Sequence, residues 1–185
     1  MPNSVENIYS SAFLEVLEEK HGNDKAGYAL IMSELSGIND ALTASPELIS
    51  FSLIPTVSRG DKIGVVKNIF SGKVSAEVLN FLCVLTEKNR LSRFGGIYRG
   101  FRSLYYEKFG ITPVTVSSAF ALTAEQKSKI TAKMEKITGG QIELSEKTDK
   151  NLIGGVVVDY SGSRIDGSVK TRLETLKKEI AETVI

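Results

Sequence analysis

The spacing of apolar residues changes once along this chain of 185 residues, and that change limits its fold more than any other feature. Up to Gly110 the apolar side chains recur three and four residues apart, as they do on one face of a helix. From Thr112 to Phe120 the run Thr-Pro-Val-Thr-Val-Ser-Ser-Ala-Phe is β-branched and roughly alternating, with Pro113 near the strand start, where a missing N–H is tolerated. The switch predicts a mainly α protein: an N-terminal six-helix bundle over residues 1–110, followed by a small α/β domain over residues 111–185.

The helical half divides at its punctuation. Val5, Ile8, Tyr9, Ala12, Phe13, Val16 and Leu17 form one stripe, with Glu6, Glu15, Glu18 and Glu19 on the other side. His21-Gly22 closes this helix, and a second follows from about Asp24 to Leu42. Ser45-Pro46-Glu47 supplies a cap, a proline suited to the first helical position and an acid matched to the N-terminal dipole, so a short helix runs to about Leu53. Ser58 and Asp61 open a fourth, which ends at Gly72. The fifth, SAEVLNFLCVLTEKN, is apolar over most of its girth: Val78, Phe81, Leu82 and Leu85 make one stripe, and Leu79, Cys83 and Val84 extend it. A helix of that kind is either central or packed on one side and offered to a partner on the other. Leu91 through Phe109 supply a sixth pattern, rich in arginine and aromatic residues.

In the second half, Thr123 and Gln126 have the spacing of a capping box at the head of a helix reaching about Thr138. Gln141 to Glu146 and Leu152 to Tyr160 read as strands, Ser161-Gly162 as a tight hairpin turn between VVVDY and SRID, and Val169, Leu173, Leu176 and Ile180 as the stripe of a last helix. That stripe is expected to cover the sheet more than to serve a partner.

Several kinds of chemistry are excluded by what the chain lacks. With 23 Lys+Arg against 22 Asp+Glu, and an even balance in each half, there is no field to draw nucleic acid or an anionic membrane. One cysteine, Cys83, and one histidine, His21, rule out a disulfide and a Cys/His zinc site, and no metal or other cofactor is expected. No apolar run approaches the roughly 20 residues of a membrane-spanning helix. The N-terminus has no basic, apolar-core signal pattern.

Two stretches invite a chemical reading. NLIGGVVVDYSGSRIDGS (Asn151 to Ser168) is glycine-rich, but it has neither the lysine and hydroxyl of a P-loop nor the G-x-G-x-x-G of a dinucleotide fingerprint. Gly154 and Gly155 read instead as an irregularity within a strand, Asp166-Gly167 as a turn, and Ser168 as the cap of the last helix. In KNRLSRFGGIYRGFRSLYYEK, arginines interleave with aromatics as on RNA-binding surfaces, but the aromatics keep the 3.6-residue period of a core stripe. An RNA-binding helical bundle is the alternative reading, and a nucleotide-binding enzyme using the glycine stretch is a weaker one. No carboxylate pair sits in an apolar setting suited to acid–base work, so no catalytic residue is expected.

Leu152 to Ile180, LIGGVVVDYSGSRIDGSVKTRLETLKKEI, resembles the signature of the F-type ATP synthase delta subunit family, whose mitochondrial counterpart is the oligomycin-sensitivity-conferral protein. Gly154, Gly155, Asp166, Gly167 and Ser168 carry that signature. SPELISFSLIPTVSRGDKIGVVKNIF, VLNFLCVLTEKNRLSRF and LTAEQKSKI resemble further landmarks, so the likeness spans nearly the whole chain. At the first helix, Ile8, Tyr9 and Ser10 stand where the family usually has Arg-Tyr-Ala.

The resemblance implies a noncatalytic stator part, peripheral to the membrane on the cytoplasmic face of a bacterial inner membrane or its organelle equivalent. Its N-terminal bundle would grip N-terminal helices of the ATP synthase α subunit on the catalytic head, and its C-terminal domain would hold the C-terminal region of the b subunit. Because the fifth helix has more apolar surface than one core face requires, the first and fifth helices are expected to form the groove for α, with Tyr9, Phe13, Leu79 and Cys83 as candidate contacts.

Overall fold

A computed structural model describes residues 4–183; the side chains of Leu176 and of residues 178–183 lie outside it, and with them the Leu176 and Ile180 positions of the last stripe. The chain divides into two compact units, Met1–Glu107 and Lys108–Ile185.

The first unit is helical: α1 (Val5–His21), α2 (Lys25–Ala44), α3 (Pro46–Leu53), α4 (Arg59–Phe70), α5 (Ala76–Glu87) and, after a 3₁₀ turn at Leu91–Arg93, α6 (Phe94–Phe109). Local chemistry sets most of the starts. The side chain of Ser4 accepts from Asn7 N–H, that of Asp24 from Ala26 and Gly27 N–H, and that of Ser58 from Asp61 N–H. Ser45 occupies the cap position of α3 without a side-chain hydrogen bond, which leaves Pro46 as the start signal. Phe13 and Leu17 of α1, Tyr28, Ile31 and Leu35 of α2, Leu82 and Leu85 of α5, and Phe94, Ile97 and Phe101 of α6 are buried and make the core.

Two polar clasps fix α5 in this unit. At its head, the N–H of Ser75 donates to both carboxylate oxygens of Glu34 at 3.0 Å, and its hydroxyl donates to Glu34 Oε2 at 2.7 Å. At its tail, Asn89 has φ 53°, its N–H donates to Thr86 O at 3.0 Å, and the N–H of Arg90 reaches back to Leu85 O at 2.7 Å, closing the helix as a Schellman turn. Lys62, buried on α4, donates to Asn89 Oδ1 at 3.4 Å and holds that turn in place.

The second unit is a four-stranded mixed sheet with two helices: β1 (Ile111–Ser118), α7 (Ala124–Thr138), β2 (Gln141–Thr148), β3 (Gly155–Tyr160), β4 (Ser163–Ser168) and α8 (Val169–Thr183). The strand order is β2-β1-β3-β4. β1 and β2 are parallel, in register from Ile111 with Gln141 to Ser118 with Thr148, and α7 supplies the crossover that parallel pairing requires. The capping box is present, with Gln126 N–H donating to Thr123 Oγ1 and Thr123 N–H to Gln126 Oε1. The alternation of β1 buries Val114 and Val116 against Met134 of α7 and Val158 of β3. Glu146 of β2 pairs with Lys127 of α7 at 2.6 Å.

Ser161 and Gly162, both at positive φ (44° and 77°), make the two-residue turn that joins β3 to β4, as their chemistry predicts. Asp166-Gly167 departs from expectation. It is not a turn but part of β4, with Asp166 opposite Val157 and Gly167 opposite Val156. A Cβ on Gly167 would sit 3.1 Å from Val156 O, closer than ordinary packing, so glycine eases the approach of the two strands.

Candidate partner-binding surfaces

Helix α1 presents Tyr9, Ala12, Phe13, Val16 and Lys20 to one side, and α5 presents Glu77, Asn80, Phe81 and Val84. Each set follows i, i+3, i+4, i+7 spacing, so each is a single stripe. Together they line an apolar groove of about 310 Å³. Its floor is the stacked pair Phe13 and Phe81, with ring centroids 4.2 Å apart, and Phe13 also meets Phe101 at 5.4 Å. Val16 and Val84 stand on the walls with 47% and 43% of their surface exposed, high for aliphatic residues flanking a buried aromatic. From Tyr9 to Lys20 the groove runs about 16 Å along α1, or three helical turns.

The ends of the groove are charged. Lys20 and Glu77 close one end with a 3.0 Å ion pair. At the other, the Arg90 guanidinium lies over the Tyr9 ring, 5.3 Å from its centroid, and Arg93 pairs with Glu6 at 3.0 Å. The Glu77 carboxyl is held below its ordinary value by hydrogen bonding to backbone and by Lys20, and Glu6 by Ser4 and Arg93.

Of the four residues expected to meet a partner, Tyr9 and Phe13 line this groove, whereas Leu79 and Cys83 do not. At 100° per residue, Leu79 and Cys83 lie about 200° around α5 from Glu77 and Phe81. The buried stripe of Val78, Leu82 and Leu85 comes between, and Leu79 and Cys83 are half-buried beyond it. Phe81, Val84 and Asn80 were hidden in a helix that is apolar almost all round. The usable signal was the pairing of two stripes with identical spacing, 9-12-13-16 and 77-80-81-84.

A second apolar depression, of about 280 Å³, lies in the C-terminal unit between α7 and the β3–β4 hairpin, lined by Ile130, Met134, Ile137, Val156, Val158 and Ile165 among others. Ile137 and Ile165 are 46% and 40% exposed. Val169 and Leu173 of α8, expected to cover the sheet, instead leave much of their surface open.

Each part of the glycine-rich signature has a place in the β3–β4–α8 framework. Gly154 lies just before β3 and Gly155 is its first residue, at φ 82°, so the irregularity is at the strand entry and not within it. Ser168 ends β4 and caps α8 by accepting from Thr171 N–H at 3.2 Å. Asp166 accepts from Ser168 N–H at 2.8 Å and from the Thr171 hydroxyl at 3.0 Å. These bonds, Ser168 foremost, hold its carboxyl below the ordinary aspartate value. A carboxyl so depressed contributes stability above its unfolded pKa, and that contribution is lost as the pH falls below about 4. In urea melts, the stability gap between wild type and Asp166→Asn is expected to be widest near pH 7 and to narrow progressively as the pH falls below about 4.

In the arginine–aromatic helix, Phe94, Phe101, Tyr105 and Tyr106 are buried, so they are not free to stack on bases. Arg102 lies over Tyr98 and Tyr106, at 5.7 and 5.9 Å. Among the described residues no cluster of His, Cys, Asp or Glu could hold a metal ion, and no helix is long and apolar enough to cross a membrane.

A helical unit with a helix-sized apolar groove, joined in sequence to a small mixed sheet, defines a two-unit α plus α/β class of protein. The sequence profile described as ATP synthase delta (OSCP) subunit matches residues 5–180, and the chain belongs to that family. It is 33% identical to ATP synthase subunit delta of Desulforamulus reducens, over 96% of this chain and 95% of that one. It is 35% identical to the Prochlorococcus marinus subunit, over 94% of each, and 29% identical to that of Clostridioides difficile, over 100% and 99%. A chain of the Toxoplasma gondii mitochondrial ATP synthase hexamer shares the fold, with a TM-score of 0.69 at 21% identity over 97% of this chain and 98% of that one.

Proposed function

We propose that this chain is a noncatalytic stator subunit of an F-type ATP synthase, joining the peripheral stalk to the catalytic head so that proton-driven rotation is coupled to ATP synthesis. In this reading it is peripheral to the membrane, on the cytoplasmic face in a bacterium. The N-terminal unit, as a six-helix bundle, takes an N-terminal helix of the α subunit into the α1–α5 groove. The C-terminal unit takes the C-terminal region of the b subunit, for which the depression beside α7 and the open faces of Val169 and Leu173 supply apolar surface.

The observation that carries the reading is the pair of facing stripes over the Phe13–Phe81 stack, partly exposed and three turns long. That is the shape taken by the apolar face of an amphipathic helix. Three buried anchors at about 1.5–3 kcal/mol each yield roughly 5–9 kcal/mol gross, and ordering the helix takes back several. A groove of this strength holds a helix reversibly. A second contact through the other unit raises the effective concentration and keeps the joint closed.

Titrating the full chain with a synthetic peptide spanning the N-terminal helix of the cognate α subunit tests this. A 1:1 complex in which the peptide becomes helical is expected, and no heat and no change in circular dichroism would refute the groove assignment.

A further inference from the structure

The charges around the α1–α5 groove are unevenly paired. Lys20 is bound to Glu77, Arg93 to Glu6, and Lys88 to Glu87. Arg90 has no carboxylate partner among the described residues; the residue is half-buried and its guanidinium rests over the ring of Tyr9. Its place is built: the Schellman turn at Asn89, clasped by buried Lys62, aims the chain so that Arg90 leaves α5 toward α1. The outer flank of α1 toward the opposite end carries exposed Glu15 and Glu19. The groove therefore has one cationic end and one end that is paired and flanked by acids.

Resting on the reading of this groove as a helix site, we infer that Arg90 is its specificity-determining residue: it receives a carboxylate of the docked helix and thereby fixes the direction in which that helix lies. A planar guanidinium already partly stripped of water by an aromatic face loses little in turning its free edge to a carboxylate, and the match is bidentate. The acid must lie about one turn beyond the anchor that meets Val84, because Arg90 follows that residue past the end of α5. A helix docked the other way would set the same acid beside a Lys20 already paired with Glu77 and near exposed Glu19, and would leave Arg90 without its carboxylate, so that orientation is disfavoured.

The test is a double-mutant cycle on the full chain. The α-subunit N-terminal peptide is made with each Asp or Glu changed in turn to Asn or Gln, and each form is titrated against wild type, Arg90→Gln and Arg90→Lys. One acid is expected to matter: its amide form binds wild type about five- to twenty-fold more weakly, Arg90→Gln loses affinity for the parent peptide by a similar factor, and the two changes together cost no more than either alone. Arg90→Lys keeps the charge without the fork and falls between; its melting curve and salt dependence keep the question decidable if Arg90→Gln does not fold. Binding by wild type with Arg90→Gln unaffected, or with losses that simply add for every acid, overturns the inference and leaves the groove standing. No binding of any peptide by wild type overturns the groove, and the inference with it.

Discussion

Val84→Asp is expected to abolish α-peptide binding while leaving the chain folded. Val84 is 43% exposed, so its side chain contributes little to the core and an aspartate there can remain hydrated in the free protein. In the complex the same carboxylate would be pressed between an apolar anchor and the Phe13–Phe81 stack, with Arg90 already committed. Burying an unpaired carboxylate, added to the lost valine contact, costs about 3 kcal/mol or more, a fall in affinity of over about 100-fold. Val84→Ala removes only the contact and is expected to cost a few-fold. Leu30→Asp is the control, since Leu30 on α2 is 59% exposed and does not line the groove. Calorimetric titration of the three variants distinguishes these outcomes, and equal losses for Val84→Asp and Leu30→Asp would mean that the groove is not the docking surface. Leu79→Asp, the substitution that sequence alone suggests, addresses a half-buried position on the far side of the core stripe and would probe folding instead.

Gly155→Val is expected to unfold or severely loosen the C-terminal unit. At φ 82° a branched residue is strained by about 1–3 kcal/mol before any contact is counted. Its Cβ would also run into the carbonyl oxygen of Gly167 and come within 2.9 Å of Ser168 Cα, and backbone cannot swing aside as a side chain can. Because Gly155 is the first pair of the β3–β4 ladder, opposite Ser168, relief would require opening the hairpin and releasing the cap of α8. A loss of about 3 kcal/mol or more, at the upper end of single-substitution effects, follows. The neighbouring Gly154→Ala meets only Val169 Cγ2 at 3.2 Å, an exposed side chain and not backbone, and is expected to cost under about 1 kcal/mol. Urea unfolding followed by circular dichroism measures both. Equal effects at the two positions would show that the glycine pair is tolerant and that the close approach of β3 to β4 is not what demands it.

What could be read from the sequence was whatever short-range chemistry decides. Thr123 and Gln126 lie three residues apart and satisfy each other, so the start of α7 needed no tertiary information. The Ser161-Gly162 turn was legible for the same reason, because two positive-φ residues specify a two-residue hairpin. Asp166-Gly167 misled because turn chemistry and a strand glycine look alike until the opposing strand is known. What decides is the pairing of Asp166 and Gly167 with Val157 and Val156 across the ladder. β4 itself offers no apolar alternation, since its residues before Ser168 are all exposed and it is held by backbone pairing at the sheet edge. Nor could the sequence say that β2 pairs in parallel with β1, a contact made only after the α7 crossover.

The candidate site was half legible. Tyr9 and Phe13 followed from an amphipathic helix whose one apolar face is clear. Leu79 and Cys83 were drawn from α5, where nearly every face is apolar and only the positions of α1 and α4 determine which stripe is core, which is groove and which is flank. Arg90 was hidden for another reason. Its role depends on the Asn89 turn and on Lys62, residues whose significance appears only when the end of α5 is set beside the start of α1.

The stator assignment is tested most directly by coupling. Membranes stripped of the catalytic head and of this chain are recombined with the head alone, with head plus wild-type chain, or with head plus Val84→Asp, and ATP-driven proton uptake is followed by a pH-sensitive dye. Uptake restored by wild type, and not by the head alone or by Val84→Asp, is the predicted result; equal uptake with and without the chain would contradict its role as the joint between head and stalk.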